Sequence, residues 1–145
     1  MLLSANANIR KIEKLKELGY DAIDVGFTRV IYNDDPYPHE DILDSDNWEA
    51  NLDPYIEKAK ECGIKIVSTH LPYRYDYTDP SAERFDYFHE MAVRSLKASE
   101  YLGAEWTVMH VTTVEGTVEY VKRLFAESGV KNIGIVIENM AKRPI

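Results

Sequence analysis

The sequence contains little cysteine and no long apolar segment. Its 145 residues include one cysteine, Cys62, so an internal disulfide is excluded, and its place before Gly63 predicts a small buried packing residue. No segment approaches the roughly 18 to 20 apolar residues that a membrane-spanning helix needs, so we expect no membrane partner. The first residues also lack the basic start and apolar centre of a secretory signal. These absences predict a cytoplasmic protein.

Positive charge is scarce as well. The chain has 17 lysine and arginine residues against 25 aspartate and glutamate residues, which gives a formal net charge of −8. A field of this sign repels polyanions, so nucleic acid is disfavoured as a partner. Small neutral or phosphorylated molecules remain candidate ligands, because a few local groups are enough to bind them. The length and the hydrophobic fraction of 45% are those of one globular domain, which we place at residues 1–145.

A helix-to-strand signal occurs four times along the chain. Each helical stretch ends in a glycine that is followed, at once or after a few residues, by an apolar strand-like run. The pairs are Gly19 with DAIDVGF, Gly63 with IKIVSTH, Gly103 with WTVMHV and Gly129 with IGIVIEN. Glycine after a helix readily takes the left-handed C-cap conformation. Alternating helices and apolar strands predict βαβ units and a parallel sheet.

Two finer patterns concern burial and helix starts. The run from Ile133 to Ile137, interrupted only by Gly134, is typical of a strand buried on both faces. Pro54 and Pro80 each follow an aspartate that suits an N-cap, so we expect both prolines in the first turns of helices.

The fold class that we predict is α/β, a parallel (β/α) barrel of the TIM type. No glycine-rich phosphate loop follows any strand, so the open nucleotide-binding sheet lacks its commonest evidence. A complete barrel takes about 250 residues. This chain therefore corresponds to the N-terminal part of a barrel that stops after about the fifth strand. The missing strands then come from another chain, as in a homo-oligomer or with a complementing chain, or the sheet keeps two unpaired edges.

Polar side chains that bind metals follow three of the apolar runs. IKIVSTH ends at His70, WTVMH at His110 and IGIVIE at Glu138. In a barrel, the carboxyl ends of the strands form the active-site mouth. Imidazole nitrogens and carboxylate oxygens are common ligands of divalent cations. We therefore predict that these three residues converge on a metal site.

Each of these residues also has a structural interpretation. A lone strand-end histidine commonly bonds a neighbouring carbonyl, and Glu138 could pair with Lys65, Lys131 or Arg143. A carboxylate beside an apolar run is costly without a partner, and its coincidence with two histidines favours function. His39 and His89, by contrast, are predicted to lie on the surface.

The segments beyond these strand ends suggest how a substrate is bound. Tyr73 offers an apolar ring face and a hydroxyl to a bound ligand, and Arg74 suits a phosphate or carboxylate. Asn139 either bonds a substrate hydroxyl or caps the strand end. The alternative for Tyr73 and the nearby Tyr75 and Tyr77 is that they stiffen a surface loop or cover an interface with the rest of the barrel.

The segments GYDAIDVGF, GIKIVSTHLPY, SLKASEYLGAEWTVMHV and IGIVIENM resemble successive strand regions of the xylose-isomerase-like TIM barrels. That superfamily contains sugar phosphate isomerases and epimerases and the related apurinic endonuclease family 2. Its members usually carry glutamate where this chain has Asp24. The resemblance implies a metal-dependent isomerisation or epimerisation through an enediolate, with Mn, Mg, Co or Zn bound and Glu138 as ligand and base.

Three functions remain open at this point. The first is a sugar or sugar phosphate isomerase or epimerase, a branch in which His70 and His110 could face substrate rather than metal. The second is an apurinic-site endonuclease-like phosphodiesterase, in which residues at these positions ligate zinc together with the glutamate. The third is a catalytically incomplete barrel fragment, because the family's later-strand ligands, including a second glutamate, are absent.

Overall fold

The computed structural model describes residues 3–27, 43, 46–72, 79–81, 85–111 and 115–139. Strands and helices alternate along these residues. The strands are β1 (Ser4–Asn6), β2 (Ala22–Gly26), β3 (Lys65–His70), β4 (Trp106–Val111) and β5 (Gly134–Asn139). The helices are α1 (Ile12–Glu17), preceded by a 3-10 turn (Ile9–Lys11), α2 (Trp48–Cys62), α3 (Phe85–Tyr101) and α4 (Thr117–Ser128). The strands pair in parallel in the order β1-β2-β3-β4-β5, which confirms the α/β prediction.

The four predicted glycine C-caps are confirmed. Gly19, Gly63, Gly103 and Gly129 all have positive φ angles, between 60° and 86°. At Gly63 the backbone N–H donates to the carbonyl of Lys60, and the next residue donates to Ala59, which satisfies carbonyls left free at the helix end. These turns lead α1, α2, α3 and α4 into the following strands.

The prediction for Pro54 is wrong in detail. Helix α2 begins at Trp48, so Pro54 lies inside the helix rather than in its first turn. Burial of Leu52 and Tyr55 on one face of α2 stabilises the helix although proline has no N–H to donate. Pro80 lies in a turn in which Asp79 Oδ1 accepts the Ser81 N–H at 2.9 Å, which is the bond expected of the predicted aspartate N-cap. Residues 82–84, between this turn and α3, lie outside the described residues. None of the described helices is long and apolar enough to cross a membrane.

The core lies between the sheet and the helices. One cluster of buried apolar side chains contains Ile23, Leu52 and Met91, and a second contains Leu96 and Met109. The same side of the sheet also buries hydroxyl groups, which form the contacts Thr69 Oγ1 to Thr107 Oγ1 at 2.8 Å and Thr69 Oγ1 to Ser99 Oγ at 2.6 Å. These buried hydroxyl groups therefore find partners within the core on the helix-facing side of the sheet.

The prediction that β5 is buried on both faces is wrong for its second half. Ile133 is buried, but Val136 is 44% and Ile137 45% exposed. The cause is the position of β5 at the end of the strand order, where β4 covers one side and no described residue pairs with the other. An apolar run predicts burial only when both neighbouring strands are present.

His89 is another correction, because the sequence predicts it on the surface and the structure buries it. Its Nδ1 lies 3.0 Å from the Tyr120 hydroxyl and its Nε2 lies 2.6 Å from Glu127 Oε2. The ring also stacks on Phe85 at a centroid distance of 5.8 Å. His89 is thus a packing residue that joins α3 to α4.

Candidate metal centre

Three strands carry polar side chains near their carboxyl ends on the face opposite the helices. His110 in β4 is the register partner of Glu138 in β5, and His70 in β3 is the partner of Val108. Alternate residues of a strand project from the same face, so His70, Val108 and His110 share one side of the sheet. His70 therefore lies level with Val108, two residues nearer the amino end of the sheet than the His110–Glu138 pair.

The side chains of these residues lie close together. One potential ligand atom from each of His70, His110 and Glu138 can be chosen so that all three atoms lie within 4.8 Å of one another. His110 Nε2 is 3.0 Å from Glu138 Oε2. The two imidazole rings meet edge to face, with centroids 5.4 Å apart and an interplanar angle of 88°. The histidines are partly buried, whereas the Glu138 side chain is 55% exposed, so the cluster is open to solvent.

The buried carboxylate of Asp24 contacts His70, and the site predicted from the sequence did not include it. Asp24 is 7% exposed, and its Oδ1 and Oδ2 lie 2.9 and 3.0 Å from His70 Nδ1. Asn6 Nδ2 donates to Oδ1 at 2.8 Å and Ser68 Oγ donates to Oδ2 at 2.7 Å. A signal was present, because a charged residue inside the apolar run AIDVGF needs partners when it is buried.

The two histidines have opposite electrostatic surroundings. The hydrogen bond to Asp24 raises the pKa of His70 above its usual range, and the negative charges of Asp24 and Glu138 act in the same direction against partial burial. Burial lowers the pKa of His110 although the neighbouring Glu138 opposes it. Burial also acts to raise the pKa of Asp24, but hydrogen bonds from His70, Ser68 and Asn6 outweigh it and leave that pKa lowered.

The donor set fits a divalent cation. Two imidazoles and one carboxylate form a common ligand set for zinc and related metals, and such sites keep a fourth position for water or substrate. Tetrahedral zinc at about 2.0–2.1 Å from its ligands needs donors about 3.4 Å apart, so the 4.8 Å span must contract. The half-exposed Glu138 side chain has room to make this adjustment.

The alternative ion pairs of Glu138 are not found among the described residues. Glu138 pairs with His110, and neither Lys65 nor Lys131 forms a salt bridge with it in this part of the chain. The backbone N–H of Lys131 instead donates to Glu100 Oε1 at 2.9 Å. The third alternative, Arg143, lies outside the described residues.

The predicted substrate-binding residues beyond the strands are only partly covered. Tyr73 and Arg74 lie outside the described residues. The backbone of Asn139 pairs with Val111 at the end of β5, while its side chain is outside the description. Their roles therefore stay predictions.

Comparison with solved structures identifies the architecture. Endonuclease IV from Thermus thermophilus superposes with a TM-score of 0.67 and 16% identity over 96% of this chain and 52% of that one. The 3-keto-D-glucoside 4-epimerase YcjR from E. coli gives 0.63 and 14%, over 94% and 55%. The IolI protein with a zinc atom bound gives 0.60 and 17%, over 96% and 51%. This is the fold of the xylose isomerase-like TIM barrels. The fold-level resemblance seen in the sequence is thereby confirmed.

The chain spans about half the length of these three structures. No protein-family model matches the sequence, and no curated protein matches it either. Within the xylose isomerase-like fold, the carboxyl ends of the parallel strands form the mouth of the barrel. His70, His110 and Glu138 therefore lie at the end of the sheet where barrel enzymes build their active sites.

Proposed function

We propose that this chain carries the metal-binding strands of a sugar or sugar phosphate isomerase or epimerase. The observation that carries the proposal is the convergence of His70, His110 and Glu138, whose potential ligand atoms lie within 4.8 Å. Two structures of the same fold add support, since one is a 3-keto-D-glucoside 4-epimerase and another contains zinc. A small sugar is also compatible with the net charge of −8, which disfavours polyanions.

In this proposal His70, His110 and Glu138 hold a divalent cation. The bound cation would polarise the substrate's carbonyl and the adjacent hydroxyl. The Glu138 carboxylate removes the proton from the carbon next to the carbonyl. The C–H electron pair then becomes the double bond of an enediolate, and the carbonyl π pair moves to oxygen. Return of the proton to the former carbonyl carbon, with transfer of the hydroxyl proton to the other oxygen, gives isomerisation. Protonation of the original carbon on its opposite face by water, with the proton of Glu138 released to solvent, gives epimerisation.

Substrate binding in this proposal uses residues next to the strand ends. Arg74 would hold a phosphate or carboxylate group, Tyr73 would stack on the sugar ring, and Asn139 would bond a hydroxyl. All three follow β3 or end β5, so they are close in sequence to His70 and Glu138. Support for these roles comes from residue chemistry and chain position.

The metal site is tested with the variant Glu138→Gln. Removal of an outer-shell partner of a metal ligand costs about 10–100-fold in affinity, so loss of a direct carboxylate ligand should cost at least about 10-fold. Calorimetric titration of the chelator-treated chain with zinc and manganese measures the change. Glu105→Gln is the matched control, because Glu105 lies just before β4 at the opposite end of the strands. Equal affinities of wild type and Glu138→Gln would assign Glu138 to a structural role.

The reaction is tested by solvent deuterium exchange. Aldoses, ketoses and their phosphates are incubated with the metal-loaded chain in D2O, and NMR follows deuterium at the carbon next to the carbonyl. Incorporation that requires Glu138 supports the enediolate reaction. A lack of exchange with every sugar, despite stoichiometric metal binding, would contradict it.

Two observations favour a second function. The superposition with endonuclease IV and the set of two histidines and one glutamate match the apurinic-site hypothesis. The acidic charge opposes it, because contacts to DNA phosphates depend on lysine and arginine. Cleavage of an abasic duplex at low salt would favour this function, and failure to bind the duplex would reject it. If metal binds but neither reaction occurs, the chain is the incomplete fragment and needs strands from a partner.

A further inference from the structure

The buried Asp24 carboxylate contacts His70 Nδ1 and thereby affects how the site is organised. We infer that Asp24 is a positioning residue, which holds the His70 ring with its hydrogen on Nδ1 and the lone pair of Nε2 available to the shared cluster. The functional consequence rests on the proposed metal site, whereas the placement of the hydrogen rests on the contacts of Asp24 alone.

The contacts of Asp24 determine the hydrogen positions. An ionised carboxylate only accepts hydrogen bonds, and His70 Nδ1 lies 2.9 and 3.0 Å from its two oxygens. Nδ1 must therefore carry the hydrogen. In the neutral ring only one nitrogen is protonated, so Nε2 carries the lone pair. Because Nδ1 is engaged by Asp24, Nε2 is the His70 atom that can serve as a ligand beside His110 and Glu138.

The carboxylate is itself fixed by two neighbouring strands. Asn6 in β1 and Ser68 in β3 are the register partners of Asp24, and each donates to a different carboxylate oxygen, at 2.8 and 2.7 Å. Both oxygens are thus held, which limits rotation of the Asp24 side chain. Each member of this network faces away from the helices, so the network supports the site side of the sheet.

If Asp24 only joined three strands, its burial would cost free energy that apolar residues would not. A buried ion needs compensation for lost hydration, and well-packed apolar residues often give equal or better stability. A carboxylate that orients a metal-binding histidine contributes to metal binding, because it fixes the orientation of the ring and raises the basicity of the ligating nitrogen. The two roles make different predictions for zinc binding, because only the positioning role couples the Asp24 contact to the metal affinity of His70.

The tautomer is read directly in the metal-free chain. Long-range 1H–15N correlation NMR at alkaline pH distinguishes Nδ1-protonated from Nε2-protonated imidazole, and His70→Asn assigns the His70 signals. We expect the Nδ1-protonated form in the wild type and a shift to the Nε2-protonated form in Asp24→Ala. Zinc affinity of Asp24→Ala should fall about 10–100-fold. Asp21→Ala is the matched control, because Asp21 is an exposed aspartate just before β2, and it should change neither readout.

The possible outcomes separate this inference from the proposed function. An Nε2-protonated His70 in the wild type, or an unchanged tautomer in Asp24→Ala, overturns the positioning role even if zinc binds. A wild type with the expected tautomer that binds no metal supports the placement of the hydrogen on Nδ1 and removes the proposed function. If Asp24→Ala does not fold, Ser68→Ala removes one support of the carboxylate, and a zinc affinity equal to that of the wild type then counts against the inference.

Discussion

A close contact between Gly134 and Trp106 can be tested by substitution. The two residues are register partners in β5 and β4, and the Trp106 ring lies over the backbone of Gly134. A Cβ atom added at Gly134 would lie 2.4 Å from both Cε3 and Cζ3 of Trp106. Gly134→Ala therefore forces the indole ring to move.

The size of the effect follows from this geometry. Non-bonded carbon atoms pack best at about 3.5–4.0 Å, so the overlap is more than about 1 Å at two ring atoms. Extra methyl groups in packed sites cost about 1–3 kcal/mol. Trp106 is 51% exposed, so its ring can swing toward solvent and the lower half of this range applies. The alanine also stabilises an extended strand relative to glycine by about 0.5–1 kcal/mol, which offsets part of the loss. We expect a net destabilisation of about 1 kcal/mol.

A double-mutant cycle isolates the steric effect. The free energy of unfolding is measured by urea denaturation for wild type, Gly134→Ala, Trp106→Ala and the double variant. In the Trp106→Ala background the overlap is gone, so Gly134→Ala should be neutral or stabilising, with a coupling free energy of about 1–2 kcal/mol. Gly134 lies at the opposite end of β5 from Glu138, so zinc affinity should not change. Equal effects of Gly134→Ala in both backgrounds would refute the steric argument.

Two further predictions concern stability elsewhere in the chain. Glu100 accepts the backbone N–H groups of Lys131 and Asn132 at 2.9 and 2.8 Å, and these bonds lower the pKa of its carboxyl group. The stabilisation by the Glu100 carboxylate is therefore fully present above the unfolded-state pKa of about 4.3 and is lost as the pH falls through the lower folded-state pKa. The difference in urea midpoint between wild type and Glu100→Gln should consequently shrink on acidification. A difference that does not depend on pH would contradict this. Leu96 is fully buried, and Leu96→Ala should lower the free energy of unfolding by about 2–5 kcal/mol, against less than about 1 kcal/mol for the exposed Leu18→Ala.

The parts of the fold that the sequence predicts correctly are those with local causes. A positive φ angle at Gly63 or Gly129 is a property of one residue and its helix end, so the C-caps could be read from the chain. Burial of β5 is not local, because it depends on whether a strand pairs with its outer edge, and Val136 and Ile137 are exposed for that reason. The start of α2 was misplaced because Pro54 suggested a first turn, whereas packing of the helix face extends the helix to Trp48.

The convergence of the site residues can be predicted from the strand ends, but the hydrogen bonds around Asp24 that hold His70 cannot. His70, His110 and Glu138 close three apolar runs, and parallel strands bring their carboxyl ends to one edge of the sheet. The partners of Asp24 depend on which residues of β1 and β3 lie beside it. No sequence pattern fixes that register, so Asn6 and Ser68 could not be predicted.

An irregularity between β2 and β3 decides which side chains meet Asp24. Ile23 pairs with Ile66, but Asp24 pairs with Ser68, so β3 contains one extra residue at Val67. A regular register would place Asp24 opposite Val67 and Gly26 opposite Thr69. A shift of one residue turns every later side chain of a strand to the other face. The observed register instead places Ser68 and His70 on the same face as Asp24 and leaves Thr69 among the buried hydroxyl groups. The extra residue in β3 is therefore what joins the buried carboxylate to the histidine at the strand end.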